Sequence, residues 1–170
     1  MIVDVMAKGG NMRDSVETAI EWVSQVKTLP QPMVVVAGTH GSGKTRLAKL
    51  LAAKGWGTYI NLSLTLSRYV MTVNPRDPVR WTTEFMTGLR SDRGNEQPLI
   101  LDNIEAVFQP ELRLNPLSWF LQMAREVPLV VVWPGAVSQG EFFYSTPNRP
   151  DYFHQREPSV IVVNITGESG

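Results

Sequence analysis

Between Gly38 and Thr45 the chain reads Gly-Thr-His-Gly-Ser-Gly-Lys-Thr. This is G-x-x-x-x-G-K-[ST], the P-loop pattern, and its chemistry follows from the residue types. The glycines at 38, 41 and 43 let the backbone turn successive N–H groups into one anion-binding hollow. A helix opening near Gly43 adds the positive end of its dipole. Lys44 carries a cation of the right reach for β and γ phosphates, and the Thr45 hydroxyl is a ligand for Mg²⁺. The candidate nucleotide-binding residues are therefore Gly38, Thr39, His40, Gly41, Ser42, Gly43, Lys44, Thr45 and Arg46. His40 reads first as a residue tolerated at a variable position, with a catalytic role as the alternative.

A magnesium nucleotide also needs an acid. "PLILDN" ends an apolar run on Asp102, the arrangement in which a carboxylate at a strand tip holds Mg²⁺, usually through water. An aspartate at a strand end also serves simply as a turn residue, but beside the loop it reads as the second metal ligand after Thr45. Many ATPases place a glutamate directly after this acid to polarise the attacking water. Here that position is Asn103, which can orient a water but cannot take its proton. Glu105 is the nearest acid and the candidate base; a first-turn glutamate favoured by a helix dipole is its plainer reading. Lys44, Asn103 and Glu105 form the candidate catalytic set, with ATP and Mg²⁺ as cofactors and slow or partner-dependent hydrolysis as the expectation.

The elements that must hold these residues follow from periodicity. Residues 12–28 place Val16, Ala19, Ile20, Val23 and Val26 on one helical face, with Asn11 as cap and "LPQP" as the stop. "MVVVA" (33–37), "TYINL" (58–62), "PLILD" (98–102), "LVVVW" (129–133) and "SVIVVNI" (159–165) read as five strands. Helices fall at 43–53, after Asp77-Pro78 and after Asn115-Pro116, where a capping side chain precedes proline at the first helical position. The first of the two proline-started helices presents Trp81, Phe85 and Leu89, the second Leu117, Phe120, Leu121 and Ala124. Strands alternating with helices predict a three-layered α/β P-loop NTPase core, with a five-strand, mainly parallel sheet flanked by helices. The expected strand order is 5-1-4-3-2. One domain spans 1–170, with an N-terminal helix over 11–29 and a nucleotide-binding core over 33–166.

Composition sets the outer limits. Lysine plus arginine and aspartate plus glutamate number 16 each, so no global charge argues for nucleic-acid binding. There is no cysteine, which removes disulfide, zinc-ribbon and thiol chemistry and fits a reducing compartment. No apolar run approaches the ~20 residues that span a bilayer, and the N-terminus lacks a signal-peptide pattern. A cytoplasmic protein with no membrane contact is expected.

Besides an ATP-binding switch or weak ATPase, three functional readings share this loop. A Ras-type GTPase is disfavoured, because "NPRD" (74–77) lacks the lysine of the guanine-reading element and reads as a turn plus helix cap. A small-molecule kinase is the main rival. Such kinases carry an acidic element at the end of strand two, where this chain has Asn61-Leu62-Ser63, and an arginine-rich helical lid before strand five. Arg149 and Arg156 lie in that region, but its three prolines and aromatic-rich extended segments suggest a small hairpin and an interaction loop. The third reading is a nucleotide-binding structural subunit without turnover.

The layout over roughly residues 12–165 resembles the small P-loop protein of BREX bacteriophage-exclusion systems, the family called BrxF. The residues that carry the resemblance are "GTHGSGKT", "INLSLTLSRYV", "LILDNIEAVFQPEL", "NPLSWFLQMAREVPLVVVWPG" and "FFYSTPNRPDY". Gly38, Gly43, Lys44, Thr45 and Asp102 match the family's motif residues. The resemblance implies a role in anti-phage defence beside other defence-system proteins, with DNA reached only indirectly or through those partners. No arginine finger or sensor carries over, since strand four ends in Trp133-Pro134-Gly135. A homo-oligomer that completes its sites from neighbouring copies is a further expectation, with Arg149 and Arg156 as the internal sources of a finger.

Overall fold

The β-branched runs of the sequence become strands, the inner ones buried on both faces, as their composition requires. In a computed structural model, which describes residues 3–6, 11–74, 76–91 and 97–165, six of them form one parallel sheet. In chain order these are β1 (Val3–Met6), β2 (Met33–Gly38), β3 (Thr58–Asn61), β4 (Leu99–Asp102), β5 (Leu129–Val132) and, last, β9 (Ile161–Ile165). Their order across the sheet is β1-β9-β2-β5-β4-β3. The five expected strands thus stand in the expected order, and the sheet gains a sixth member, β1, paired with β9 in the register Val3 opposite Ile161. The predicted five-strand sheet is corrected to six on this point. Residues 1, 2, 7–10, 75, 92–96 and 166–170 of the predicted 1–170 domain, the last group including the end of its 33–166 core, lie outside the described residues.

Alternation along the strands splits the interior into two layers. Val34 and Val36 join Ile100, Val130, Val132 and Val163 against α1 (Met12–Val23) and α2 (Lys44–Ala53). Met33, Val35 and Ala37 face the other side, against α3 (Leu62–Val70), α4 (Pro78–Ser91) and α5 (Pro116–Ala124). Each fully buried aliphatic chain in these layers contributes about 1.5–3 kcal/mol.

Three helix starts rest on asparagine caps. Asn11, Asn61 and Asn115 each accept a hydrogen bond from the backbone N–H three residues on, at 2.9, 3.1 and 3.0 Å. Asp77 accepts from the Arg80 N–H in the same way at 3.3 Å, and the Asn74 side chain accepts from the Arg76 N–H, so Asn74 and Asp77 serve as the turn and cap residues their types suggested. Helix α1 stops at Val23, short of the expected end. The Ser24 hydroxyl and the Gln25 amide both donate to the Glu21 carbonyl, at 2.9 and 2.8 Å, taking an acceptor the next helical turn would need. A single 3₁₀ turn, Val26–Thr28, follows.

Helix α3 was not expected. Its sequence "LSLTLSRYV" alternates apolar and polar residues like a strand, yet only Leu62 and Leu66 are buried, one helical turn apart, while Leu64 is exposed. Strand two therefore ends at Asn61 rather than Leu62.

The segment between β5 and β9 forms a second, antiparallel sheet from β6 (Val137–Ser138), β7 (Glu141–Tyr144) and β8 (Phe153–Arg156). It caps an aromatic cluster. Phe108 stacks on Tyr144 at 4.0 Å between ring centroids and meets Trp133 edge-on at 5.3 Å, while Trp133 meets Phe142 at 5.2 Å. The Trp133 indole donates to the Phe143 carbonyl at 2.9 Å, and a Cβ at Gly135 would collide with that same carbonyl, so the chain passes at its closest here.

Candidate functional site

The glycine-bearing loop leaves the C-terminal end of β2, the edge of a parallel sheet where α/β proteins place ligands. Gly41 and Gly43 hold φ of 77° and 95°, in the left-handed region that favours glycine. At Gly38 the restriction is space: a Cβ would lie 2.5 Å from the Ile165 carbonyl oxygen and 2.7 Å from the Ser42 hydroxyl. Helix α2 then starts at Gly43, and no side chain caps it. Its opening N–H groups carry the helix's positive partial charge and are available to an anion.

Lys44 folds back over this loop and donates to the Gly38 carbonyl at 2.7 Å. Burial lowers its pKa from the ordinary lysine value, and the negative charges of Asp102 and Glu105 oppose that shift. Lys44 therefore sits within the field of both candidate acids, although they come from a different strand and turn.

Asp102 is 2% exposed, one of few buried polar residues in the described chain. Both its oxygens are engaged. The Tyr59 hydroxyl donates to one at 2.8 Å, and the Asn103 N–H donates to the other at 2.8 Å. Asn103 adopts a left-handed φ of 51°, a conformation asparagine tolerates better than glutamate. That backbone requirement is a physical reason for asparagine at the position after the acid. The Asn103 carbonyl accepts from the Ser63 N–H at 2.8 Å, and the Ser63 hydroxyl accepts from the Ala106 N–H at 3.1 Å. These bonds tie the first turn of α3 to the 3₁₀ turn Glu105–Phe108, which presents Glu105.

A cleft of about 350 Å³ gathers these groups. Its lining comprises His40, Gly41, Gly43, Lys44, Thr45, Arg46, Asp102, Asn103 and Glu105, with Val132 and Pro134 forming an apolar wall. Of the remaining predicted loop residues, Gly38 and Ser42 are enclosed beneath the loop and Thr39 stands at its entry, accepting from the Ser42 N–H at 3.1 Å. The Ser42 hydroxyl is buried with no hydrogen-bond partner. Neither Arg149 nor Arg156 lines the cleft. Arg149 is held by Asp151 at 3.3 Å, and Arg156 sits on β8 opposite Glu141.

The donor set suits a magnesium polyphosphate. An uncapped helix start, a lysine and a hydroxyl meet the buried carboxylate of Asp102, with Glu105 exposed at the cleft's rim. Among the described residues no group of three or more His, Cys, Asp or Glu side chains comes together. One buried acid, Asp102, plus a hydroxyl matches the way Mg²⁺ is bound, since it retains several waters and shares its remaining positions with phosphate.

Sequence reasoning missed Tyr59 and the Val132–Pro134 wall. Tyr59 could not be found by motif. It reaches Asp102 because Asn61 stands opposite Asp102 in the β3–β4 ladder and Tyr59 lies two residues earlier on the same face. No helix of the described residues is long and apolar enough to cross a membrane. No protein-family model matches the chain, and no curated protein matches it.

Proposed function

We propose that this protein is an ATP-binding P-loop NTPase that hydrolyses ATP slowly, and faster in the company of partners. The observation that carries the reading is the meeting of Lys44, Thr45 and Asp102 in one cleft over a glycine-bearing loop and an uncapped helix start. Lys44 would bind the β and γ phosphates, and the first N–H groups of α2 would donate to the phosphate oxygens. Thr45 and Asp102 would hold Mg²⁺, which when bound neutralises charge building on the transferred phosphoryl group. Glu105 is exposed at the cleft and accepts the proton of the attacking water, while Asn103 orients that water. The segment where a kinase lid would sit is the antiparallel sheet β6–β8, which favours the hydrolase over the phosphotransferase.

From the resemblance of its motifs we infer a place in a BREX-type anti-phage complex, with the other defence proteins as partners and DNA reached through them. Calorimetric titration with ATP and Mg²⁺ tests the core of the reading. Loss of a charge-assisted contact makes Lys44→Ala bind ATP about 10- to 100-fold more weakly. Equal binding by the folded variant would overturn the assignment.

A further inference from the structure

Rest positions of the two opposite charges in the cleft are the starting point. Lys44 and Asp102 share the cleft and feel each other's charge, yet among the described residues no ion pair joins them. Lys44 is held by the Gly38 carbonyl, and Asp102 by the Tyr59 hydroxyl and the Asn103 N–H. We propose that Tyr59 is a positioning residue: its hydroxyl fixes the Asp102 carboxylate in the orientation that serves Mg²⁺ and keeps it from turning onto Lys44. The proposal rests on the ATP–Mg²⁺ reading of the cleft.

Two contacts of the ring support it. The Lys49 ammonium of α2 lies 5.6 Å from the Tyr59 ring centroid, a cation–π contact that steadies the ring. The ring packs against the buried layer to which Ile100 and Leu47 belong. The hydroxyl then has one acceptor, Asp102, reached diagonally across the ladder from a strand at the sheet's edge. A carboxylate that is 2% exposed cannot leave an oxygen unpaired without cost. Without the Tyr59 hydroxyl, a cation already within the field of Asp102 is the Lys44 ammonium, on the wall of the same cleft. Pairing with it would occupy the metal-binding acid and the phosphate-binding cation in one stroke. Partners that orient a ligating carboxylate are worth about 10–100-fold in metal affinity.

The test measures ATP affinity by calorimetry with Mg²⁺ and with chelator, in wild type, Tyr59→Phe, Asp102→Asn and the double variant. Tyr59→Phe removes one oxygen atom, and its binding of metal-free ATP reports that the loop is still folded. The expected result is that the gain in affinity on adding Mg²⁺ falls about tenfold in Tyr59→Phe, with metal-free binding close to wild type. Asp102→Asn should lose the gain, and adding Tyr59→Phe to it should cost nothing more. A Tyr59→Phe protein with the full wild-type gain overturns the positioning role and leaves the nucleotide reading standing. A wild type that binds no ATP under either condition overturns both. A loss in Tyr59→Phe that persists undiminished in the Asp102→Asn background also overturns the role, since the effect would not run through Asp102.

Discussion

At the scale of single residues the site separates into what is contiguous and what is not. The loop 38–45 was legible because its chemistry is local: glycine conformations, a lysine and a hydroxyl follow one another along the chain. Asp102 was legible because an acid at the end of a buried run is a recognisable pattern. The left-handed backbone at Asn103 was not, since it depends on how β4 hands over to the turn beyond it. That conformation gives asparagine there a structural reason, and under the proposed hydrolysis it leaves proton transfer to Glu105. Glu105→Gln should therefore bind ATP–Mg²⁺ nearly as well as wild type while turnover falls by about 10²–10⁴. Phosphate release measured beside calorimetry checks this. Turnover that survives Glu105→Gln but is lost in Asn103→Ala would assign the base wrongly.

At the scale of elements, the helices with local start signals were readable and the one that imitates a strand was not. Helix α3 follows its cap and its two buried leucines, one turn apart, against the alternation of its sequence. Strand β1 escaped notice because four residues carry little periodicity and their pairing partner, β9, lies at the far end of the sequence. The second sheet has a mechanical relation to the site. One 3₁₀ turn carries Glu105 at its first position and Phe108 at its last, so the cleft and the aromatic cluster share four residues of backbone. Tyr144, stacked on Phe108, has its pKa raised by burial first and then by the charges of Asp151 and Glu105, against the opposing charge of Arg149. Phe108→Ala should cost about 3–5 kcal/mol of stability, read from denaturant unfolding. At temperatures where the variant remains folded, turnover should fall more than ATP affinity, because the turn that presents Glu105 loses its anchor. An equal loss of both would show that the cluster serves stability alone.

At the scale of the whole molecule, the strand order was legible because right-handed crossovers leave few ways to arrange alternating strands and helices. The assembly was not. Arg149 and Arg156 stand outside the cleft of their own chain, with Arg149 tied to Asp151. If either completes catalysis, it does so in a neighbouring copy. Specific ATPase activity should then rise with protein concentration or on adding partner proteins, toward the roughly 10³–10⁵ range that a supplied arginine is worth. Arg149→Ala or Arg156→Ala should blunt the rise. Activity that stays flat from dilute to concentrated protein, with partners present and both variants unaffected, would dismiss both arginines.

The close approach of Gly38 to the Ile165 carbonyl means that the loop's back wall is supplied by the last strand of the sheet to be synthesised. Strand β2 has β9 as one neighbour and β5 as the other. On the ribosome β9 emerges roughly 120 residues after the loop it supports, several seconds later at ~5–20 residues per second. During that interval an apolar central strand of the sheet has an open side. Loop-closure entropy must be met before the pairing is gained, which favours late, cooperative completion. A nascent chain halted before β9 would carry the loop's sequence without its back wall, and would be a natural client for a chaperone.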